Sequence, residues 1–314
     1  MKHTIKRIKG WALLTAAAAL LMAGCASDPT VAEVNGEKIL KSEFDTNFNT
    51  YKAQIESQAG PDVWKEEVDG RTRLEEAQEG ILDMLIDTRL VAAKAKALGV
   101  EVTDADIETE ISNAKGYFET EEKFNEFLET QKITLDTLKD MLRKELLFSA
   151  FYEKINEATV VSEQEIGEYY SANKDQFFEV TASHILLESE ADAKAAKARL
   201  DAGEAFEALA KELSTDPSAQ SNGGSLGTFG RGAMVPAFEE AVFAMEKGQI
   251  SDPVQSEFGF HIIRCEGASQ KTLEEAAEGI RAQLMAARQG EVYETTMAEL
   301  RQSAKIEKHL DRLK

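Results

Sequence analysis

Two histidines lie in apolar, strand-like runs. His184 is in Ala182-Ser183-His184-Ile185-Leu186-Leu187, and His261 is in Phe258-Gly259-Phe260-His261-Ile262-Ile263-Arg264. On neighbouring strands, two imidazoles can hydrogen-bond each other and fix their tautomers. Asp216, in Ser214-Thr215-Asp216-Pro217, adds a carboxylate on a loop facing them. Met234 and Phe238 are four apart at a helix start and share a face. With Leu226 and Phe258 they complete an apolar set that could share one small pocket with the histidines. Two histidines and a carboxylate are also an iron-binding set, but the short ligand spacings of such sites are missing, and we expect no metal. Each residue has a plainer reading as well. A strand histidine is ordinarily structural, Met234 and Phe238 alone would be core, and an Asp before Pro commonly starts a turn.

The elements that must position these residues follow from the pattern around them. Thr181 to Leu187 reads as a strand. Ala191 to Leu200 and Phe206 to Leu213 read as helices broken at Gly203, and Gly224 to Phe229 as a short strand. Pro236 to Met245 is a helix with proline in its first turn, ended by Gly248. Asp252 to Ser256 and His261 to Glu266 are the last strands, turning near Gly259. The result is a small antiparallel sheet wrapped by helices.

In this order and spacing, residues 181–267 resemble the parvulin family of peptidyl-prolyl cis/trans isomerases along their whole length. The resemblance implies an α+β fold and rotation of X-Pro peptide bonds without a cofactor. Parvulins place two histidines and a Cys or Asp at these motif positions, which implies catalytic roles for His184, His261 and Asp216. The prolyl-ring pocket would fall to Leu226, Met234, Phe238 and Phe258. The loop from Asp216 to Leu226 is one residue longer than in some relatives. The chemistry is modest: the rotation barrier is about 20 kcal/mol, and a thousandfold acceleration requires about 4 kcal/mol. Neither a nucleophile nor a metal is needed. Phosphate-directed parvulins carry a basic cluster after the first strand, whereas this chain has Leu187-Glu188-Ser189-Glu190-Ala191-Asp192. These acids repel phosphate, so no phosphoserine-proline specificity is expected.

The N-terminus reads as a targeting segment. Lys2, Lys6, Arg7 and Lys9 precede an apolar run from Trp11 to Leu21 that is short for a bilayer span. Leu21-Met22-Ala23-Gly24-Cys25 resembles a bacterial lipoprotein signal, which implies that Cys25 is lipidated and becomes the mature N-terminus. Removing those four cations from a formal net charge of −21 leaves −25. So acidic a chain repels nucleic acid and anionic lipid and favours basic partners. Cys265 is the other cysteine, so no internal disulfide is expected; it reads as a partly buried residue at a strand end.

Elsewhere the pattern is mainly helical. Val31 to Leu40 alternates around Asn35-Gly36, a strong hairpin signal, and Ser42 is placed to cap the next helix. Leu74, Ile81, Leu82, Leu85, Ile86 and Leu90 recur at helical spacing up to a stop at Gly99. Val102-Thr103-x-x-Asp106-Ile107 and Val161-Ser162-x-x-Glu165-Ile166 are capping boxes with apolar staples, and Thr272-x-x-Glu275 opens a helical stretch to about Leu313. Phe118, Phe124, Phe127, Phe148, Phe151 and Tyr152 make the middle region aromatic-rich, as core or as a groove for unfolded polypeptide.

The hairpin-then-helix opening resembles secretion chaperones of the PrsA and SurA type. That resemblance implies a signal peptide 1–24, a linker 25–30, and a helical chaperone-like part 31–178. An isomerase domain 179–268 follows, and a C-terminal helical part 269–314 packs back on the first. The expected protein is a lipid-anchored foldase outside the cytoplasm. It would sit on the outer membrane facing the periplasm, as Ala26 suggests for a two-membrane host, or on the outer face of a single membrane. Its partners would be incompletely folded exported proteins with accessible prolines. The alternative is a holdase whose isomerase domain is a non-catalytic binding module.

Overall fold

The computed structural model of the chain describes residues 28–131 and 133–313. The signal segment 1–24, Cys25 and Ala26 lie outside the described residues. Two compact units divide the chain: residues up to Thr159 together with those from Arg288 onward, and Val160–Ala287.

The first unit begins with β1 (Thr30–Val34) and β2 (Glu37–Leu40), joined by Asn35 and Gly36 at φ 53° and 90°. Positive φ at both central residues is the primed turn that matches strand twist, and glycine takes that conformation without strain. Helix α1 (Lys41–Ala59) follows directly, with Leu40 rather than Ser42 as N-cap. Asp28 explains the difference. Its carboxylate accepts both the Ser42 backbone N–H and the Ser42 hydroxyl, so that serine is drawn away from capping. Two short strands, β3 (Glu67–Val68) and β4 (Arg71–Thr72), lead into α2 (Arg73–Ala97). Next come α3 (Asp104–Lys115), which carries the expected capping box at Thr103 and Asp106, α4 (Glu121–Thr130) and α5 (Leu135–Ile155).

Two cores organise this unit. Ile39, Phe44, Leu82, Ile86, Leu90 and Phe151 pack with Met297 and Leu313 from the C-terminal segment. Phe124, Leu128 and Leu138, with Phe118 and Phe127 against them, form the second core. Most of the aromatic-rich region is therefore core. Phe148 and Tyr152 are the exceptions, in ring contact with each other and with Tyr293, and Phe148 is half-exposed.

The second unit starts at α6 (Glu163–Ala172), capped by the Ser162/Glu165 box. Its sheet and helices follow in order: β5 (Phe178–Leu187), α7 (Glu190–Asp201), α8 (Phe206–Leu213), α9 (Ala219–Asn222), β6 (Ser225–Gly230), α10 (Pro236–Phe243), β7 (Val254–Ser256) and β8 (Gly259–Gln270). The strands run β6-β5-β8-β7, all antiparallel. One face buries Ile185, Leu187 and Ile262 under α7 and α8 residues; the other buries Val180, Ala182, Ile263 and Cys265 with Phe238 and Val242 of α10. Cys265 is thus wholly buried within β8 opposite Ala182, not partly buried at a strand end.

Helix α11 (Leu273–Ser303) contributes its first half to the second unit and the rest to the first. Val161 and Ile166 share a core cluster with Ala276 and Ile280, and α6 and the start of α11 belong to the same unit as the sheet. The helix stops short of Leu313. Ile306–Lys308 forms β9, which pairs antiparallel with β1 to give the order β2-β1-β9. The unpaired edge of β1 accepts a strand there, which outweighs continuation of the helix. None of the described helices is long and apolar enough to cross a membrane.

Candidate active site

The antiparallel register of β5 and β8 brings the two histidines together. His184 lies opposite Ile263, and His261 lies opposite Leu186, so the imidazoles are diagonal neighbours on one face. Their Nδ1 atoms are 3.2 Å apart and the rings are tilted by 22°. Asp216 reaches the same cluster, its Oδ2 2.7 Å from His184 Nε2. The loop that carries it is filled by the short helix α9, and Asp216 is fixed at its start by the Ser218 N–H, which donates to Oδ1 at 2.9 Å.

The direction of each bond follows from one group that can only accept. Burial disfavours the charge of Asp216. Hydrogen bonds from His184 and Ser218 outweigh that penalty and hold its carboxyl below the ordinary value. Ionised Asp216 accepts, so His184 Nε2–H donates. With one proton on each ring, His184 Nδ1 accepts from His261 Nδ1–H. His261 Nε2 then accepts from the Ser256 hydroxyl at 2.6 Å, and Ser256 Oγ accepts from the Phe258 N–H at 3.1 Å. Every polar atom in the row from the Phe258 amide to Asp216 is matched. Burial pushes the His261 imidazole down to about 4, helped by the neighbouring His184. Its ring is therefore neutral at physiological pH.

The ring nitrogens point at one another, at Asp216 and at Ser256, not at a common centre. Among the described residues no group of three His, Cys, Asp or Glu side chains is arranged to hold a metal ion.

Phe238 joins this polar row to the apolar set. It is buried on α10 and meets both imidazoles edge-on, with ring centroids 6.0 Å from His184 and 5.3 Å from His261. Leu226 and Met234 are half-buried against the same cluster. Phe258 stands apart: its side of the β7–β8 turn faces solvent, and it is 65% exposed. It belongs to the neighbourhood through its backbone N–H rather than through packing of its ring.

Gly224 is a backbone device under His184. The His184 N–H donates to Gly224 O at 2.8 Å, and a Cβ at Gly224 would lie 2.3 Å from His184 O. With φ at +84° as well, only glycine fits there. Sequence reasoning missed Ser256 and Ser218. The Asp-Pro turn could have pointed to Ser218, two residues after Asp216. Nothing in the sequence separates Ser256 from any other hairpin serine.

Comparison with known proteins gives two family matches. The PPIC-type PPIASE domain matches residues 172–267, and the SurA-like N-terminal domain matches residues 2–151. The foldase protein PrsA of Caldanaerobacter subterraneus subsp. tengcongensis is 35% identical over 290 residues, covering 92% of this chain and 90% of its own length. PrsA of Clostridium kluyveri is 34% identical over 300 residues, covering 89% and 88%. Among solved structures, the peptidylprolyl isomerase PrsA of Bacillus anthracis is 31% identical with a TM-score of 0.38, covering 70% of this chain and 95% of that one.

Proposed function

The chain belongs to the PrsA family of foldases and is a peptidyl-prolyl cis-trans isomerase, and from that premise we propose how its residues perform the reaction. The prolyl ring enters the apolar set of Leu226, Met234 and Phe238, with Phe258 at the rim. His184, His261 and Asp216, with Ser256 holding His261, form the polar wall beside it. The planar amide is more charge-separated than the twisted one, so an apolar pocket disfavours the planar state relative to the transition state. No covalent bond is made. His261 acts as a neutral imidazole: a charged ring at its position would stabilise the charge-separated planar form and slow rotation.

The observation that carries this reading is the contact of Phe238 with both imidazoles, which puts apolar floor and polar wall in one place. The partners are incompletely folded proteins with accessible prolines, and the helical unit holds them as a chaperone while the sheet unit isomerises them. The chain is exported under its signal segment and anchored through lipid on Cys25, outside the cytoplasm.

Activity of the chain lacking residues 1–24 on a chromogenic Ala-Ala-Pro-Phe peptide tests the assignment. Asp216→Ala and His261→Ala should each lower kcat/KM about tenfold, or about 1.4 kcal/mol of transition-state stabilisation. Undiminished kcat/KM in folded variants would remove these residues from the reaction. Glu188, Glu190 and Asp192 lead to a second expectation, that a phosphoserine-proline peptide is turned over no faster than an alanine-proline one.

A further inference from the structure

Met234 is neither in a helix nor in a strand. It lies in the connection from Arg231 to Val235, between β6 and α10. A pocket floor carried on a connection needs something to hold it. Glu239, in the first turn of α10, reaches back to do this. Its Oε2 accepts the Gly232 N–H at 2.5 Å, and its Oε1 faces Arg231 Nη1 at 3.6 Å. The carboxylate is largely buried, at 16% exposed. One turn further along the same helix, the Phe243 ring carries the Arg231 guanidinium 4.4 Å from its centroid. Glu239 and Phe243 therefore grip consecutive residues of the connection from one face of α10, the face whose neighbours Phe238 and Val242 are in the core.

We infer that Glu239 is a positioning residue for the prolyl pocket: by capturing the Gly232 amide it fixes the connection so that Met234 is held against Phe238. The inference rests on the reading above that Met234 and Phe238 line that pocket. Of the two bonds, the amide capture is the one that matters. A carboxylate accepting a backbone N–H at short range is a charge-assisted bond in a sheltered place. The ion pair to Arg231 is longer, and the arginine is half-exposed, so solvent screens most of its attraction. Glu239 makes no polar contact with His184, His261 or Asp216, so it acts through the apolar half of the site alone.

The test compares four variants of the chain lacking residues 1–24, using the Ala-Ala-Pro-Phe peptide for kcat/KM and as the titrant in a 13C-methyl NMR experiment on Met234. Glu239→Ala is expected to lower kcat/KM about tenfold and to reduce the shift of the Met234 methyl on peptide addition. Glu239→Gln keeps an acceptor for the amide and should retain at least half the activity. Glu239→Asp keeps the charge at the helix start but falls one methylene short of Gly232, so it should lose as much as the alanine variant; it also guards against an alanine variant that fails to fold. Activity within twofold of the parent for Glu239→Asp, or a glutamine variant as impaired as alanine, overturns the inference. Met234→Ala is the control. Undiminished kcat/KM there removes the pocket reading itself, and this inference with it.

Discussion

His261 should make the sheet unit acid-sensitive in a window that its burial defines. The imidazole is 4% exposed and holds its proton only below about 4, whereas in an unfolded chain the same group titrates near 6.5. Between those values the unfolded state binds a proton that the folded state refuses, so stability falls as pH falls from 6.5 to 4 and is intact above 6.5. Going from pH 7 to pH 4.5, this one group should remove about 2 kcal/mol. Carboxylates held below their ordinary values, such as Asp216, Glu207 and Glu266, lose stability in the same direction on acidification. A variant that cannot titrate in this range separates them: His261→Gln keeps every carboxylate and removes the imidazole. Urea unfolding followed by the Ile262 and Ile263 methyl signals reports on this unit, because both are wholly buried beside His261. The difference in unfolding free energy between parent and His261→Gln should shift by about 2 kcal/mol against the parent from pH 7 to pH 4.5. A gap that stays constant, or an imidazole 13Cε1 titration of His261 above pH 6, would refute the argument from burial.

Other expectations rest on different parts of the molecule. Gly224→Ala should destabilise the sheet unit by about 3 kcal/mol, the sum of left-handed backbone strain and steric overlap. It should also perturb the ring signals of His184, whose carbonyl the new methyl would strike; unchanged spectra would mean the backbone relaxes freely there. Removing residues 305–314 deletes β9 and the buried Leu313, along with the Arg312 side chain that donates to Thr30 O at 2.7 Å. The loss to the helical unit should be about 4 kcal/mol or more, read by Trp64 fluorescence in a chain lacking residues 1–24, which carry the other tryptophan. Cys25→Ser should release the protein from membranes or leave its precursor unprocessed, and fractionation with unchanged membrane association would count against a lipid anchor.

The parts of the structure visible in the sequence are those with local, repetitive causes. The Asn35-Gly36 hairpin, the boxes at Thr103, Ser162 and Thr272, and the apolar rows of α2 each need only a few adjacent residues to be recognised. The meeting of His184, His261 and Asp216 is what the parvulin resemblance implies, and the β5–β8 register is what brings the two histidines together. The misses depend on pairings that no local pattern specifies. Ile306 to Lys308 became a strand because β1 had a free edge, and Ser42 lost its capping role to Asp28. Ser256 is tied to His261 by a turn whose register no composition rule supplies.

The pairing of β9 with β1 has a consequence for how the chain comes into being. A polypeptide made from its N-terminus presents β1 before β9, with the whole of Val160–Ala287 in between. The sheet unit is one continuous stretch and has every residue it needs long before the chain ends. The helical unit does not: its sheet and its main core wait for Ile306 and Leu313. Until then the apolar faces of α1 and α2 lack part of their cover, and contacts of high sequence separation form slowly. A protein of a family that assists folding thus emerges with its own helical unit as an unfinished client, and with its isomerase unit able to mature first.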